Sequence, residues 1–204
     1  MKTRNKALVL SLSAVLLVGA SVFGTMAYLT SQTEVVENTF TVGKVAITLD
    51  EAKVDLYGDK VDGADRVTAN EYKLIPGHEY VKDPTVHVAA DSEESWLFVK
   101  VANGISGIED ETNTIASQME AKGWTLVDEE ANVYAYKDTV KAKDDVEVFE
   151  EFAVKGDADQ AQLEGYADDM ITIYAYAVQK DGFDTAAAAW DAAPAEWTTE
   201  TATE

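Results

Sequence analysis

Apolar and polar residues alternate with a period of two over many short segments of the chain, which is typical of half-buried β-strands. The alternation predicts strands at residues 40–42, 44–49, 71–75, 85–90, 124–127, 132–136 and 146–152. Residues 95–102 are apolar at more consecutive positions, which predicts a central strand buried on both faces. Residues 171–178 form the clearest strand pattern. In 146–152 both faces carry apolar residues, so the pattern leaves its inward face open.

Helical periodicity is confined to short stretches between these strands. Residues 112–122 predict one helix, residues 158–164 predict one or two helical turns, and residues 184–191 predict an alanine-rich helix. Polar residues that favour helix starts lie at the N-terminal end of the two longer segments, 112–122 and 184–191. The predicted caps are Thr112 or Asn113 for the first helix and Asp184 for the last.

Many short strands with few helices predict an all-β fold, a two-sheet antiparallel sandwich with short flanking helices. Residues 50–70 are polar and charged, and they predict a long loop between strands. The sequence shows no internal repeat, and we assign residues 44–197 to a single β-sandwich domain. Residues 28–43 are interpreted as an extended N-terminal segment or donor strand, and residues 198–204 as a flexible tail.

The first 27 residues have the three-part layout of a secretory signal peptide. Residues 1–6 are basic, residues 7–23 are uncharged and mostly apolar, and small residues precede Tyr28 at the positions that a signal peptidase reads. We predict cleavage between Ala27 and Tyr28, and hence a secreted protein of the cell surface or extracellular matrix. The alternative is an uncleaved membrane anchor, but the apolar stretch is short of the roughly 20 residues that a transmembrane helix needs.

The chain is strongly acidic, with 38 Asp and Glu against 16 Lys and Arg and a formal net charge of -22. Such a surface repels nucleic acid and anionic membranes, so no nucleic-acid partner is expected, and membrane contact is expected only through the signal peptide before cleavage. The chain has no cysteine. A secreted domain without disulfides has to be stabilised by its core, by bound ions or by partners.

No catalytic motif is present: the sequence lacks H-E-x-x-H, G-x-S-x-G and the phosphate-binding G-x-x-x-x-G-K-[ST]. His78 and His87 are the only histidines, and no spacing motif makes them zinc ligands. Asp59, Asp62 and Asp65 lie in a glycine-containing loop, but their order does not match a calcium-binding loop. We therefore assign no catalytic, cofactor-binding or metal-binding residue, and we do not expect an enzyme.

Several short motifs resemble those of the TasA/camelysin family of exported proteins, found in Gram-positive bacteria, whose signal peptides are cut by SipW-type peptidases. G-T-M-A-Y-L-T at residues 24–30 and N-T-F-T-V-G at residues 38–43 are the most specific of these motifs. The looser matches are K-L-I-P-G at residues 73–77, K-D-P at 82–84, W-L-F-V-K-V at 96–101 and I-T-I-Y-A-Y-A-V-Q-K-D-G-F at 171–183. The resemblance covers nearly the whole chain.

The resemblance implies a jelly-roll sandwich and, for the family members of biofilm matrices, assembly into fibres. In such fibres the mature N-terminal strand, here residues 28–40, is donated to the sheet of the next subunit. The candidates for inserted apolar side chains are then Val35, Phe40 and Val42. The expected partners are further copies of the chain, together with other matrix or cell-wall components.

Two alternatives stay open beside a self-assembling structural protein. Because camelysin has been described as a surface metalloprotease, the resemblance also allows a metal-dependent surface protease. The third reading is a monomeric surface module that binds glycans or calcium.

Overall fold

Residues 43–194 are described by a computed structural model, and within them nine strands and three helices follow one another. The strands are β1 (Ile47–Asp50), β2 (Glu79–Val81), β3 (Thr85–Val88), β4 (Ser95–Asn103), β5 (Trp124–Asp128), β6 (Val133–Tyr136), β7 (Asp145–Glu147), β8 (Glu151–Ala153) and β9 (Ile171–Gln179). The helices are α1 (Ile115–Ala121), α2 (Gln160–Gly165) and α3 (Ala186–Asp191).

Some sequence predictions fall outside residues 43–194 and stay predictions. They are the cleavage site at Ala27 and Tyr28, the strand at residues 40–42, the inserted side chains Val35, Phe40 and Val42, and the tail at residues 198–204.

The strands form two antiparallel layers. In the first layer β5, β6, β4 and β9 make, in this order, a four-stranded sheet, and in the second β1, β3 and β7 make a three-stranded sheet. The pair β2–β8 continues the register of β3–β7: Val81 faces Glu151, and four residues along each strand Thr85 faces Glu147. These two pairs therefore form one ribbon, and the all-β, sandwich-like antiparallel fold that the sequence predicts is confirmed.

The main core lies between the two layers. Leu97 and Val99 of β4 reach it from one side and Val86 of β3 from the other, and all three are fully buried. The opposite face of β4 is covered as well, because Phe98 packs against Trp190 of α3 with ring centroids 5.4 Å apart. β4 is thus buried on both faces, which confirms the prediction for this central strand.

The strand predicted at residues 71–75 is wrong. This segment has no strand partner, and its backbone groups bond instead to a loop and to a side chain. Lys73 N donates to Leu56 O at 2.8 Å, and Ile75 N donates to the hydroxyl of Tyr80 at 2.7 Å. The Tyr80 hydroxyl in turn donates to Lys73 O at 2.6 Å. A tyrosine side chain thus takes the place of a neighbouring strand, and the true strand, β2, begins after the following turn.

The single strand predicted at residues 146–152 is also wrong, because it is two strands, β7 and β8, with a break between them. Residues 148–150 belong to neither strand, although Val148 and Phe149 are both fully buried. The side chain of Gln118 in α1 fills the break: its Oε1 accepts from Glu150 N at 3.1 Å and from Glu151 N at 3.2 Å.

Helices appear in all three predicted segments, but each of them starts two or three residues later than predicted. The Thr114 hydroxyl accepts from Ser117 N at the start of α1, and the Thr185 hydroxyl accepts from Ala188 N at the start of α3. The predicted caps, Thr112 or Asn113 and Asp184, are therefore wrong by a position or two. Asn113 instead donates from its amide to Glu151 Oε1 at 2.7 Å, which ties the start of α1 to β8.

The predicted long loop is confirmed between β1 and β2, and one of its turns rests on β2 through a glycine. Gly58 has a φ of +83°, and a Cβ at this position would lie 2.7 Å from Tyr80 Cα. Val81 N donates to Gly58 O at 3.3 Å, so loop and strand are in direct contact. Gly63, in the same loop, also has a positive φ of +72°, but a Cβ there would meet nothing within 4 Å.

Comparing Gly58→Ala with Gly63→Ala separates the cost of a positive φ from the cost of close packing. Both variants carry the backbone cost of a positive φ, about 1–2 kcal/mol of unfolding free energy. Gly58→Ala also forces the loop off Tyr80, so we expect it to lose about 1–3 kcal/mol more. Urea unfolding of both variants measures the difference, and equal losses would contradict the close packing of Gly58.

Candidate assembly groove

β9 forms an open edge of the four-stranded sheet. All nine of its residues pair with β4, and no other strand among residues 43–194 pairs with it. Gly104 N donates to Met170 O and Lys180 N donates to Glu94 O, so the even-numbered positions turn their backbone groups toward β4. The odd-numbered positions therefore turn N–H and C=O groups toward the open edge. They are Ile171, Ile173, Ala175, Ala177 and Gln179.

The side chains at four of these odd-numbered positions reach the main core without being covered. Ile171, Ile173, Ala175 and Ala177 pack against the core cluster, yet each is only half-buried. As far as residues 43–194 are concerned, the strand thus presents unpaired backbone groups and incompletely covered apolar side chains along the same line. Both deficits are of the kind that an added strand removes.

An open groove runs between β9 and β1, the edge strand of the other sheet. β1 pairs with β3 and lies close to β9, but no ladder joins β1 to β9. The groove has a volume of about 840 Å³. Its apolar lining consists of Leu49, Leu56, Tyr72, Leu74, Ile105, Phe152, Tyr166, Met170, Ile171, Ile173 and Tyr174, with Pro84 and Ala69. Within residues 43–194, no element therefore covers the core of the sandwich along this side.

Large apolar side chains stand exposed along the groove. Met170 is 72% exposed, Tyr174 51% and Leu56 50%, although each lines the groove. Tyr174 is an even-numbered position of β9, and Met170 precedes the strand with the same parity. Their exposed side chains therefore point to the face of the sheet opposite to that of Ile171 and Ile173.

The opposite side of the sandwich is closed. There β5 and α1 are tied to β7 and β8: the indole Nε1 of Trp124 donates to Glu147 O at 3.1 Å, and Gln118 Nε2 donates to Glu151 O at 2.9 Å. Lys122 adds ion pairs to Glu147 and Glu150. The two sides therefore differ, and only the β1–β9 side lacks a covering element among residues 43–194.

One buried polar cluster lies in the wall of the groove. The other polar lining residues are half-buried or exposed: Asp50, Thr68, Glu71, Asp168, Asp169 and Thr172. Lys82 Nζ donates to Glu51 Oε2 at 2.5 Å, and the amide of Asn70 donates to Glu51 Oε1 at 2.9 Å. Both charged residues are buried, with 8% of Lys82 and 4% of Glu51 exposed. The ammonium group also lies 6.0 Å from the ring centre of Tyr72. Burial and the negative charge of Glu51 raise the pKa of the Tyr72 phenol, so it stays neutral and donates to Val81 O.

The loop that carries Glu51 and Asn70 is held in place by Asp83, the residue after Lys82. Asp83 is 5% exposed, and its carboxylate accepts from Ala52 N at 2.6 Å and from Lys60 Nζ at 2.9 Å. Burial raises the pKa of Asp83, but these hydrogen bonds and the charges of Arg66 and Lys60 outweigh it, so the pKa is lowered. The polar cluster is therefore positioned by ionic contacts that do not depend on whatever occupies the groove.

A second charged network crosses the outer face of the three-stranded sheet. His87 in the central strand β3 places Nδ1 2.6 Å from Asp145 Oδ1 of β7 and Nε2 2.9 Å from Asp50 Oδ1 of β1. Burial lowers the pKa of His87, but the two carboxylates outweigh it and the pKa is raised. Arg66 pairs with Asp50 as well. The imidazole of His87 thus links all three strands of the sheet, and its protonation strengthens both contacts.

The residues considered for metal binding do not converge. His78 Nε2 lies 2.7 Å from Tyr57 O, and its ring packs edge-on against Tyr80, whereas His87 lies between Asp50 and Asp145. Residues 43–194 contain no group of three or more His, Cys, Asp or Glu arranged to hold a metal ion.

Sequence reasoning identified β9 as a strand but missed the groove. Glu51, Asn70 and Lys82 are separated by loops, and nothing in their spacing indicates that they meet. One usable signal was present: β9 has no charged residue and no proline, although it ends the sheet. Edge strands usually carry such protecting residues, so their absence indicates an edge meant to be covered.

Comparison of the chain with protein-family models, with curated proteins and with solved structures finds no match. Among residues 43–194, no helix has the length and apolar character needed to cross a bilayer. Function is therefore argued from the groove itself.

We predict that the contribution of the His87 network to the free energy of unfolding falls as the pH rises. Because the folded pKa is raised, the contribution is complete below the ordinary pKa of about 6.5 and is lost as the pH rises through the folded value. We expect wild type to exceed His87→Gln by roughly 0.5–1 kcal/mol at pH 5.5, with a smaller difference at pH 9. Urea unfolding across this range measures it, and a difference independent of pH would contradict the charged form of His87.

Proposed function

We propose that the chain is an exported structural protein of the TasA/camelysin kind that builds a bacterial cell surface or biofilm matrix. In this proposal it self-assembles by inserting residues 28–42 of one copy into the β1–β9 groove of the next. The single observation that carries the proposal is the open, uncharged edge of β9 above an uncovered core. No enzymatic activity is proposed.

Strand addition accounts for both deficits of the groove at once. An incoming strand can satisfy the outward N–H and C=O groups of β9, while alternate side chains cover the core. The match in length is adequate, because residues 28–42 provide more positions than the nine of β9. Backbone pairing then supplies affinity and the apolar side chains supply register.

The segment 28–42 has apolar side chains for this role near its C-terminal end. Phe40 and Val42 share one face of a regular strand. Regular alternation adds Val36 to that face and puts Val35 on the opposite one, so Val35 enters the groove together with Phe40 only if the strand is irregular. The two valines are therefore best tested separately.

The acidic surface sets the conditions for assembly. Copies that begin at Tyr28 lack Lys2, Arg4 and Lys6, so 13 basic residues stand against 38 acidic ones and the net charge is -25. Such copies repel one another at long range, and this repulsion is screened within roughly 10 Å at 0.1 M salt. The attraction at the groove is short-ranged and mostly apolar. Assembly is therefore expected to be favoured by salt, and the groove has to supply the specificity.

The first test compares the chain beginning at Tyr28 with the same chain lacking residues 28–40. We expect fibres in negative-stain electron microscopy from the first protein and single particles from the second, because only the first carries a strand to donate. Both are incubated over a range of salt and calcium concentrations. Single particles from both proteins under all conditions would refute self-assembly and favour a monomeric binding module.

A second test targets the receiving edge rather than the donated strand. Ala175→Pro removes an outward N–H from β9 but keeps the bonds to β4, and proline is tolerated on an open strand edge. We expect it to abolish fibres while changing the thermal midpoint little. Ala175→Ser keeps the N–H and serves as the matched control. Fibres from Ala175→Pro at wild-type yield would show that β9 is not the receiving edge.

If residues 28–42 instead fill the groove of their own chain, the protein is a monomer. Deleting residues 28–40 then lowers the thermal midpoint at every protein concentration, because it uncovers the core. Under strand exchange, the stability of the wild-type chain instead rises with protein concentration, since binding to the folded state stabilises it by mass action.

A further inference from the structure

The polar cluster in the groove wall favours an occupant that places a polar group beside it. Lys82 and Glu51 line the groove and are almost completely buried, whereas the other carboxylates of its lining, such as Glu71, Asp168 and Asp169, are exposed. An ammonium group has three N–H donors. Within residues 43–194 the hydrogen-bond acceptor of Lys82 is Glu51 Oε2. A strand laid across this point would seal the pair from water, so an apolar side chain there leaves donors unsatisfied.

The face of segment 28–42 that carries Phe40 and Val42 has one such polar group at its centre. Along that face the side chains are Val36, Asn38, Phe40 and Val42. Asn38 is the single polar residue among the four. Its amide offers one acceptor and two donors, which suits an ammonium and a carboxylate side by side.

We propose that Asn38 of the incoming copy meets the Lys82–Glu51 pair and thereby fixes the register of the inserted strand. The Asn38 carbonyl accepts from Lys82 Nζ, and its amide N–H donates to Glu51 or to a backbone carbonyl in the groove. This inference rests on the proposed strand exchange and names the residue that specifies it.

A slip of the inserted strand by two residues shows why this contact selects one register. Such a slip keeps the same face inward, so alternation alone does not forbid it. It brings Val36 or Phe40 against the ion pair and moves the Asn38 amide away from it. The Lys82–Glu51 pair and the Asn38 amide are then both buried without the hydrogen bonds that they could make to each other. Buried ionic pairs contribute little net stability, but selecting a register is their best-attested use.

A swap of polarity tests the pairing in chains that begin at Tyr28. Asn38→Leu places an apolar side chain against the ion pair, and Glu51→Leu with Lys82→Met places Asn38 against an apolar wall. We expect each change to raise the critical concentration for fibre formation about ten-fold or more. Combining all three substitutions makes both sides apolar and is expected to restore the critical concentration to within about three-fold of wild type. Sedimentation of the fibres measures it.

Thr39→Leu is the matched control, since residue 39 lies on the opposite face of the strand. It is expected to leave the critical concentration within about three-fold of wild type. Thermal unfolding of every variant checks that the groove double variant still folds. If the double variant fails to fold, Asn38→Leu against Thr39→Leu still decides the question, because both substitutions lie outside residues 43–194 and leave the sequence of the groove unchanged.

The outcomes separate this inference from the proposed function. If wild type forms fibres and Asn38→Leu forms them at the same concentration, the Asn38 contact is wrong while strand exchange stands. If wild type forms no fibres but unfolds cooperatively, both are wrong. If Asn38→Leu lowers the thermal midpoint of a monomer at every concentration, the strand fills its own groove, and exchange between copies is overturned.

Discussion

The constraint on which the rest of the structure depends is the unfinished edge at β9. β4 needs a neighbour on each side to be a central strand, and β9 is that neighbour on one side. As the last strand described in its sheet, β9 would ordinarily carry charge, proline or a bulge. It carries none of these, and its inward side chains are half-buried. One edge of β9 is therefore fully paired with β4, whereas its other edge pairs with no strand among residues 43–194.

The asymmetry of the sandwich shows that the opening is a local property of one side. Where β5 approaches β7, the chain closes the core with Trp124, α1 and the side chain of Gln118. Where β9 approaches β1, the corresponding space is flanked by the loop after β1, which is fixed by its own contacts to Asp83. That loop has strong anchors, so it does not simply collapse into the groove. General looseness of packing would leave both sides of the core open. This core is sealed on one side only, as expected if an added strand covers the other.

How much of this could be predicted from the sequence depends on whether the deciding contact is local. β4 and β9 were predicted correctly because their apolar patterns are long and need no distant partner to interpret. Residues 71–75 were mistaken for a strand because their partner is the hydroxyl of Tyr80, which a period-two pattern does not register. The break between β7 and β8 is filled by the side chain of Gln118, which lies 32 and 33 positions from the two backbone N–H groups it binds and so is not visible in the local pattern. The groove was missed for the same reason: Glu51 and Lys82 meet across 31 positions of sequence.

The high negative charge and the open apolar edge support one function because they act over different distances. Repulsion between acidic surfaces is long-ranged and nearly indifferent to orientation, so it opposes random contact between exposed edges. Backbone pairing and burial at β9 act only at contact and only along one line. Together they disfavour disordered aggregation, to which an unprotected edge strand is otherwise prone, and leave a complementary strand as the favoured partner. The polar cluster in the groove wall makes the selection more specific, because a purely apolar strand would bury the ion pair without a polar partner.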